Sequence, residues 1–365
     1  MGSLSPHLAN KVYTYSRIRK RTFEQAAASM LFQQVLLLIL AAPRFMGRRK
    51  ETMRENKLEE ILSQLEQGIT ALFESERYST YLKTLSKFHS YSLNNTILIV
   101  LQNPEATHVA GYTAWKKDFG RQVVSGETGI KIIAPIKVKK EAEVPEAEDD
   151  VFFIPAFKIV TVFDISQTKG KELPTIGIDM LTGDVETYRD FFIAIEKASP
   201  VPVAFEQIEG RAKGYYHLEE RRVVLKQGMS ELQTLKTAIH EIAHAKLHGI
   251  EQNDQPPKDH HTREVEAESV AYTVCQHYGL DTSEYSFGYI AGWSSGKELA
   301  ELKASLEIIR ATSADLIVEI DGHFAGLQQD RNQFSEHVEG YEDIPTEILH
   351  GMYQNYDISD DRGAR

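Results

Sequence analysis

Hydrophobic positions change period along the chain. From Asn56, Leu58, Ile61, Leu62, Leu65, Ile69 and Leu72 recur every three or four residues and predict an amphipathic helix, with a second helical run from Ser79 to Phe88. Between Phe119 and Pro135 the pattern is punctuated by glycines and predicts a pair of strands, followed by another strand at Phe157 to Asp164. Helical period returns from Val185 to Ala198. Val203–Phe205, Gly214–His217 and Val223–Leu225 then read as short strands. A helix follows between Ser230 and Gly249, with Leu232, Leu235, Ile239, Ile242, Ala243 and Leu247 as its core face. At its start, Ser230-Glu-Leu-Gln233 has the spacing of a capping box, in which the Gln233 side chain reaches back to the cap. A further helix begins near Thr262 and is stopped by Gly279, and Glu298–Ile320 forms a last periodic segment that should cover the core. The expected fold class is α+β.

The same patterns divide the chain. Residues 1–52 differ from the rest: basic Arg17–Arg21, the apolar run Val35–Ala42, then Arg48-Arg-Lys50. A positive flank before an apolar run is a signal-peptide pattern, but the stretch from Met30 to Ala42 is too short to span a bilayer. We read this segment as a leader without a fold, with the working chain starting at Met46 or Met53. The expected order is then a first domain over 53–168, a linker over 169–184, a second domain over 185–327 and a mobile acidic tail over 328–365. The acidic stretch Glu141–Asp150 reads as a loop insertion.

Composition narrows the function. A chain of 365 residues with 42% apolar content has material for two packed domains. Its net charge of −12 provides no global field for nucleic acid or anionic membrane, so any DNA contact must be local and no stable membrane association is expected. Cys275 is the sole cysteine, which excludes an internal disulfide and fits a reducing, cytoplasmic setting.

The strongest chemical signal is His240-Glu-Ile-Ala-His244. Two histidines one helical turn apart can share one Zn²⁺, and Glu241 beside them can serve as the general base of peptide hydrolysis. Glu264 on the following helix is the candidate third ligand. Glu268, one turn later, is placed to accept the free ring N–H of His240. Glu266 is the rival ligand, with a solvated surface charge as its ordinary reading. His260 is a candidate fourth ligand that would turn the site into a structural one. Tyr289 and His217 are candidate donors to the oxyanion. A peptide could pair with the strand just before the metal helix.

In the first half, bases outnumber acids only mildly outside the acidic loop. Aromatics beside amides and bases can stack unpaired bases while lysines meet phosphates. Tyr91, Asn94, Asn95, Tyr112, Trp115, Lys116, Lys117, Arg121 and Lys131 are the candidates. Each also has an ordinary reading, Trp115 and Tyr112 as core aromatics and Lys116-Lys117 as a solvated face.

The order S-x-x-N-N-x-x-L-I from Ser92, Asn103-Pro-x-A-T, Gly111-Tyr-x-x-Trp115 and the Gly126 to Pro135 segment, closed by Phe163-Asp-Ile-Ser-Gln-Thr168, resembles the N-terminal domain of ArdC-like antirestriction proteins. The resemblance extends through Leu280–Trp293 and covers about residues 55 to 325. It implies a single-stranded-DNA-binding domain joined to a zincin-like metallopeptidase domain of gluzincin type, with zinc at His240, His244 and Glu264. The implied partners are single-stranded DNA and a protein or peptide substrate, in the protection of mobile-element DNA. The alternative is a non-catalytic DNA-binding protective protein with a structural zinc.

Overall fold

A computed structural model describes residues 49–140, 152–172, 185–249, 258–285 and 287–338. The acidic loop, most of the expected leader, part of the expected linker and the last part of the tail lie outside the described residues.

The first half opens with α1 (Arg49–Leu72), α2 (Ser75–Lys87) and α3 (Leu93–Gln102). The first helix begins at Arg49, ahead of Asn56, where the apolar period starts, through a run of residues with good helix propensity. Ser92 caps α3 by accepting the Asn95 N–H. The chain continues through β1 (Val109–Gly111), the single-turn α4 (Tyr112–Lys117), β2 (Arg121–Val123), β3 (Ile130–Lys140), β4 (Phe152–Asp164) and β5 (Thr168–Gly170). One antiparallel sheet has the order β1-β4-β3, and β2 pairs with β5. Residues 169 and 170 are therefore paired strand rather than linker.

The motif residues of this half are its hydrogen-bonding skeleton. Asn95 clamps β3 to α3, its amide donating to the Ile133 carbonyl and accepting the Ile133 N–H, both at 2.9 Å. Trp115 is 1% exposed and donates its indole N–H to the Phe163 carbonyl at 2.8 Å. Asp164 accepts the N–H groups of Thr107, His108 and Ser166. Burial opposes ionisation of this carboxyl, but the bonds from Ser166, Thr107 and His108 outweigh it and hold the group below its usual range.

The second half contains α5 (Val185–Lys197), then β6 (Val203–Glu206), β7 (Gly214–His217) and β8 (Arg222–Lys226) in the sheet order β6-β8-β7. Helices α6 (Glu231–His248), α7 (His260–His277), α8 (Ile290–Ser294) and α9 (Leu299–Val338) follow. Helix α9 runs past Leu327 to Val338, so the expected boundary of a mobile tail at 328 falls inside a helix. Ser230 caps α6 as expected, but Gln233 does not close the capping box. It accepts Lys213 Nζ at 2.6 Å and donates to Thr237 at 3.1 Å.

The two halves share one core. Leu82 and Leu85 of α2 belong to the same buried cluster as Val265, Val270 and Val274 of α7. Tyr78 packs edge-on against Phe287 at 5.2 Å and hydrogen-bonds Ser269 at 2.8 Å. His277, ending α7, meets the Ser86 carbonyl at 2.9 Å. The helices of the first half are thus part of the support for α6 and α7.

Candidate metal centre and nucleic-acid face

Helices α6 and α7 pack side by side and bring three ligand groups to one point. His240 Nε2 and His244 Nε2 are 3.1 Å apart, and the Glu264 carboxylate lies 3.7 Å from the first and 3.4 Å from the second. Ligands at about 2.0–2.1 Å from a tetrahedral zinc stand roughly 3.3 Å from one another, so the spacing fits a shared metal. This is the one such group among the described residues. The hydrogen bond from His244 and its charge draw the Glu264 carboxyl down to about 2 despite partial burial. Burial, reinforced by His244, lowers His240 to about 4.

Several expectations about neighbouring residues change. Glu266 is neither ligand nor surface charge: it is fully buried, with both carboxylate oxygens 2.7 Å from Lys258 Nζ and one 2.7 Å from Ser305 Oγ. A buried carboxylate needs such partners, and these pin the start of α7 to α9. Glu268 accepts the Tyr289 hydroxyl rather than a ring N–H of His240, because the segment after α7 folds back over that helix. Tyr289 is thereby committed to Glu268 instead of facing an oxyanion. His217 sits at the far end of β7, where its Nδ1 accepts the Glu220 N–H at 3.1 Å, and it does not line the cavity beside the metal site. His260, with its side chain 80% exposed, has Nε2 3.7 Å from Glu264 but falls outside the three-ligand group. His248 carries no expectation from the sequence; it bonds the Arg263 carbonyl at 3.3 Å and ties α6 to α7.

Strand β7 crosses directly above Glu241. The Lys213 carbonyl accepts Lys226 N–H from β8, so by strand alternation the backbone groups of Gly214 and Tyr216 face away from the sheet. The Tyr216 N–H reaches the Glu241 carboxylate. Glycine is required at 214 by closeness: a Cβ there would stand 2.7 Å from Thr237 Cγ2, 2.9 Å from the Val224 carbonyl and 3.2 Å from Glu241 Cγ. Burial pushes Glu241 up to about 7. Among the described residues β6 and β7 are the edges of this sheet, and β7 is the one beside Glu241; β8, the strand just before the metal helix, is paired on both sides and cannot accept a peptide. A cavity of about 360 Å³ extends from His240 and Glu241 along this edge.

The candidate DNA residues separate into two sets. Trp115 and Asn95 are held inside the fold as described above, and Arg121 spends its guanidinium on Thr168, Gly170 and Lys171. Tyr91 donates to the Val109 carbonyl. Asn94 is half-buried in the first turn of α3. Tyr112, Lys116, Lys117 and Lys131 are exposed. Lys131 pairs in register with Thr161, which shares a face with Phe163 two residues on, and Tyr112 meets the Phe163 ring edge-on at 6.5 Å. Phe119, 42% exposed and against Trp115, was not singled out in the sequence; an apolar residue beside two lysines was the available signal.

Comparisons with known proteins match two successive segments of the chain. Residues 51–163 match the N-terminal domain of anti-restriction factor ArdC, and residues 196–279 match the IrrE N-terminal-like domain, a peptidase family. A Bacillus anthracis protein described as uncharacterized is 28% identical over 339 residues, which is 80% of this chain and 56% of that relative's length. The chain thus spans little more than half of that relative. The metal-free and Mn(II)-bound structures of the antirestriction protein ArdC from the R388 plasmid are 22% and 20% identical, each with a TM-score of 0.43. They cover 65% and 72% of this chain, and 86% and 97% of their own chains are covered. No described helix is long and apolar enough to cross a membrane. The chain thus has an ArdC N-terminal domain followed by an IrrE-like domain of a peptidase family.

Proposed function

We propose that the chain is a metal-dependent peptidase coupled to a single-stranded-DNA-binding unit, acting in antirestriction-like protection of mobile-element DNA in the cytoplasm. The observation that carries this reading is the convergence of His240, His244 and Glu264 beside a buried Glu241 under an open strand edge. His240, His244 and Glu264 would hold the metal, for which two imidazoles and a carboxylate suit zinc. When bound, zinc supplies Lewis acidity toward a peptide carbonyl and makes water more acidic. The outward groups of β7 other than the Tyr216 N–H orient an extended peptide by main-chain hydrogen bonds. Glu241, oriented by the Tyr216 N–H, takes a proton from water and returns it to the leaving amide nitrogen. On the other half, Tyr112 and Phe119 would stack bases while Lys116, Lys117 and Lys131 meet phosphates.

The test compares the full chain with its Glu241→Gln variant for zinc content, single-stranded-DNA binding and cleavage of a peptide library, with and without DNA. The expected outcome is equal zinc and DNA binding, with turnover lost about 10²–10⁴-fold in the variant. If neither protein cuts and both protect DNA equally from a restriction enzyme, the metal is structural and the non-catalytic reading replaces this one.

A further inference from the structure

The cavity beside the metal site is lined by the cations Arg211, Lys213 and Lys236 and by the carboxylates Glu241, Glu268 and Glu284, and each carboxylate already has a partner: the Tyr216 N–H for Glu241, the Tyr289 hydroxyl for Glu268 and Lys236 for Glu284. The cavity floor is α6, where Gln233, Thr237 and Glu241 form one ridge and Lys236 and His240 form the next. Its rim on one side is the segment entering β7, where Arg211 and Lys213, two residues apart, both line the space. Neither cation has an acidic partner among the described residues, and Lys213 is held in place by the neutral Gln233 amide.

Lys236 is the unusual member. Its side chain is 7% exposed, so its charge is nearly removed from water. One acidic partner, Glu284, lies 3.2 Å from Nζ, and that side chain is 65% exposed. The Tyr285 ring supplies a cation–π contact at 5.3 Å. The neighbouring Asp281 turns its carboxylate to the N–H and hydroxyl of Ser283. An ammonium has three donors, and a buried one with a single, largely exposed acidic acceptor among the described residues favours another anion in the adjoining space. A carboxylate entering the cavity would meet Lys236 below and Arg211 and Lys213 at the rim.

From these positions we infer that the cavity is a subsite for an aspartate or glutamate side chain of the substrate, on the carboxyl side of the cleaved bond. The side is that expected for antiparallel pairing, the commoner and slightly more stable kind, along β7, which leaves the cavity at Gly214 and runs to His217. A peptide pairing antiparallel to it passes Tyr216 first and the cavity afterwards. This inference rests on the peptidase reading for the word "cleaved" and on the cavity alone for the acidic preference.

The experiment uses zinc-loaded full chain and fluorescent peptides that differ at one position, Glu, Gln or Lys. Cleavage is read with the wild type and binding with Glu241→Gln. The expected result is a preference for Glu over Gln of roughly tenfold to a hundredfold, the size of a charge-assisted contact, in both readouts. Arg211→Glu combined with Lys213→Glu, both at exposed positions, should reverse the order to favour Lys without changing zinc content. Equal binding of the three peptides, no binding at all, or an acidic preference on the amino side overturns the inference. Cleavage without preference overturns it while leaving the peptidase standing. Preferential binding without cleavage supports the acidic subsite and removes the peptidase.

Discussion

Around His240 and His244 the chemical groups leave their helices into a space walled by β7 and the segment after α7, and partners on other elements hold several of them in place. On the N-terminal sheet the arrangement is reversed. There the buried or hydrogen-bonded residues, Asn95, Trp115, Arg121 and Asp164, build the fold, and Tyr112, Phe119 and Lys131, whose side chains are exposed, stand on the surface. A peptide bond must be gripped by a few groups fixed closely in place, because small displacements cost catalysis steeply. Single-stranded DNA is flexible and can adapt to a surface that offers rings and cations.

The largest expected effect tests whether the buried aromatic belongs to the fold. Trp115→Ala should destabilise the chain by about 3–5 kcal/mol, seen as a large fall in the denaturant midpoint, since it removes a buried ring together with its hydrogen bond to the Phe163 carbonyl. Tyr112→Ala, at a side chain 54% exposed, should leave the midpoint in place and weaken single-stranded-DNA binding by about 1–3 kcal/mol. Equal loss of stability in both variants would erase the distinction between the two sets of residues.

On the metal side, Gly214→Val should push β7 away from Glu241 and Thr237. The expected result is a loss of peptidase turnover on the order of tenfold or more, with zinc content retained. Unchanged turnover would remove β7 from the substrate path.

A smaller effect lies at the junction of the regions. His89 is held down to about 4 by burial, with the His277 ring 4.8 Å away adding to the shift, while the Ser86 carbonyl opposes it. Its folded-state pKa is below its unfolded value, so the unfolded chain takes up a proton first as pH falls. Its contribution to stability is complete above about pH 6.5 and is lost between there and about pH 4, amounting to roughly 3 kcal/mol at most. Urea titrations across this range should show the loss, and His89→Gln should flatten it. The smallest expected effect is Tyr78→Phe, which deletes the Ser269 hydrogen bond between α2 and α7 and should cost about 1 kcal/mol with the peptidase site intact.

The candidate metal ligands were legible in the sequence because their spacing is local. His240 and His244 are one helical turn apart, and a second helix at the right interval offered Glu264. The DNA candidates were less legible. A tryptophan, an asparagine and an arginine within conspicuous motifs have the same composition whether they contact a base or a neighbouring strand, and here those three bond to Phe163, Ile133 and Thr168. Glu266 and Glu268 differ only by which side of α7 they leave, and only the packing of α9 and Tyr289 assigns them partners.

The sequence by itself determined the α+β class, the elements carrying strong period, the capped metal helix and its histidine–glutamate spacing, since these depend on periodicity, caps and intervals within one helix or loop. Tertiary structure alone decided that β7 rather than β8 is the open edge beside Glu241, that Lys236 is buried beside the cavity, and that both halves share one core. Each of these depends on contacts between residues far apart in the chain, where hydrophobic burial and the pairing of buried polar groups select the neighbour and no local pattern records it.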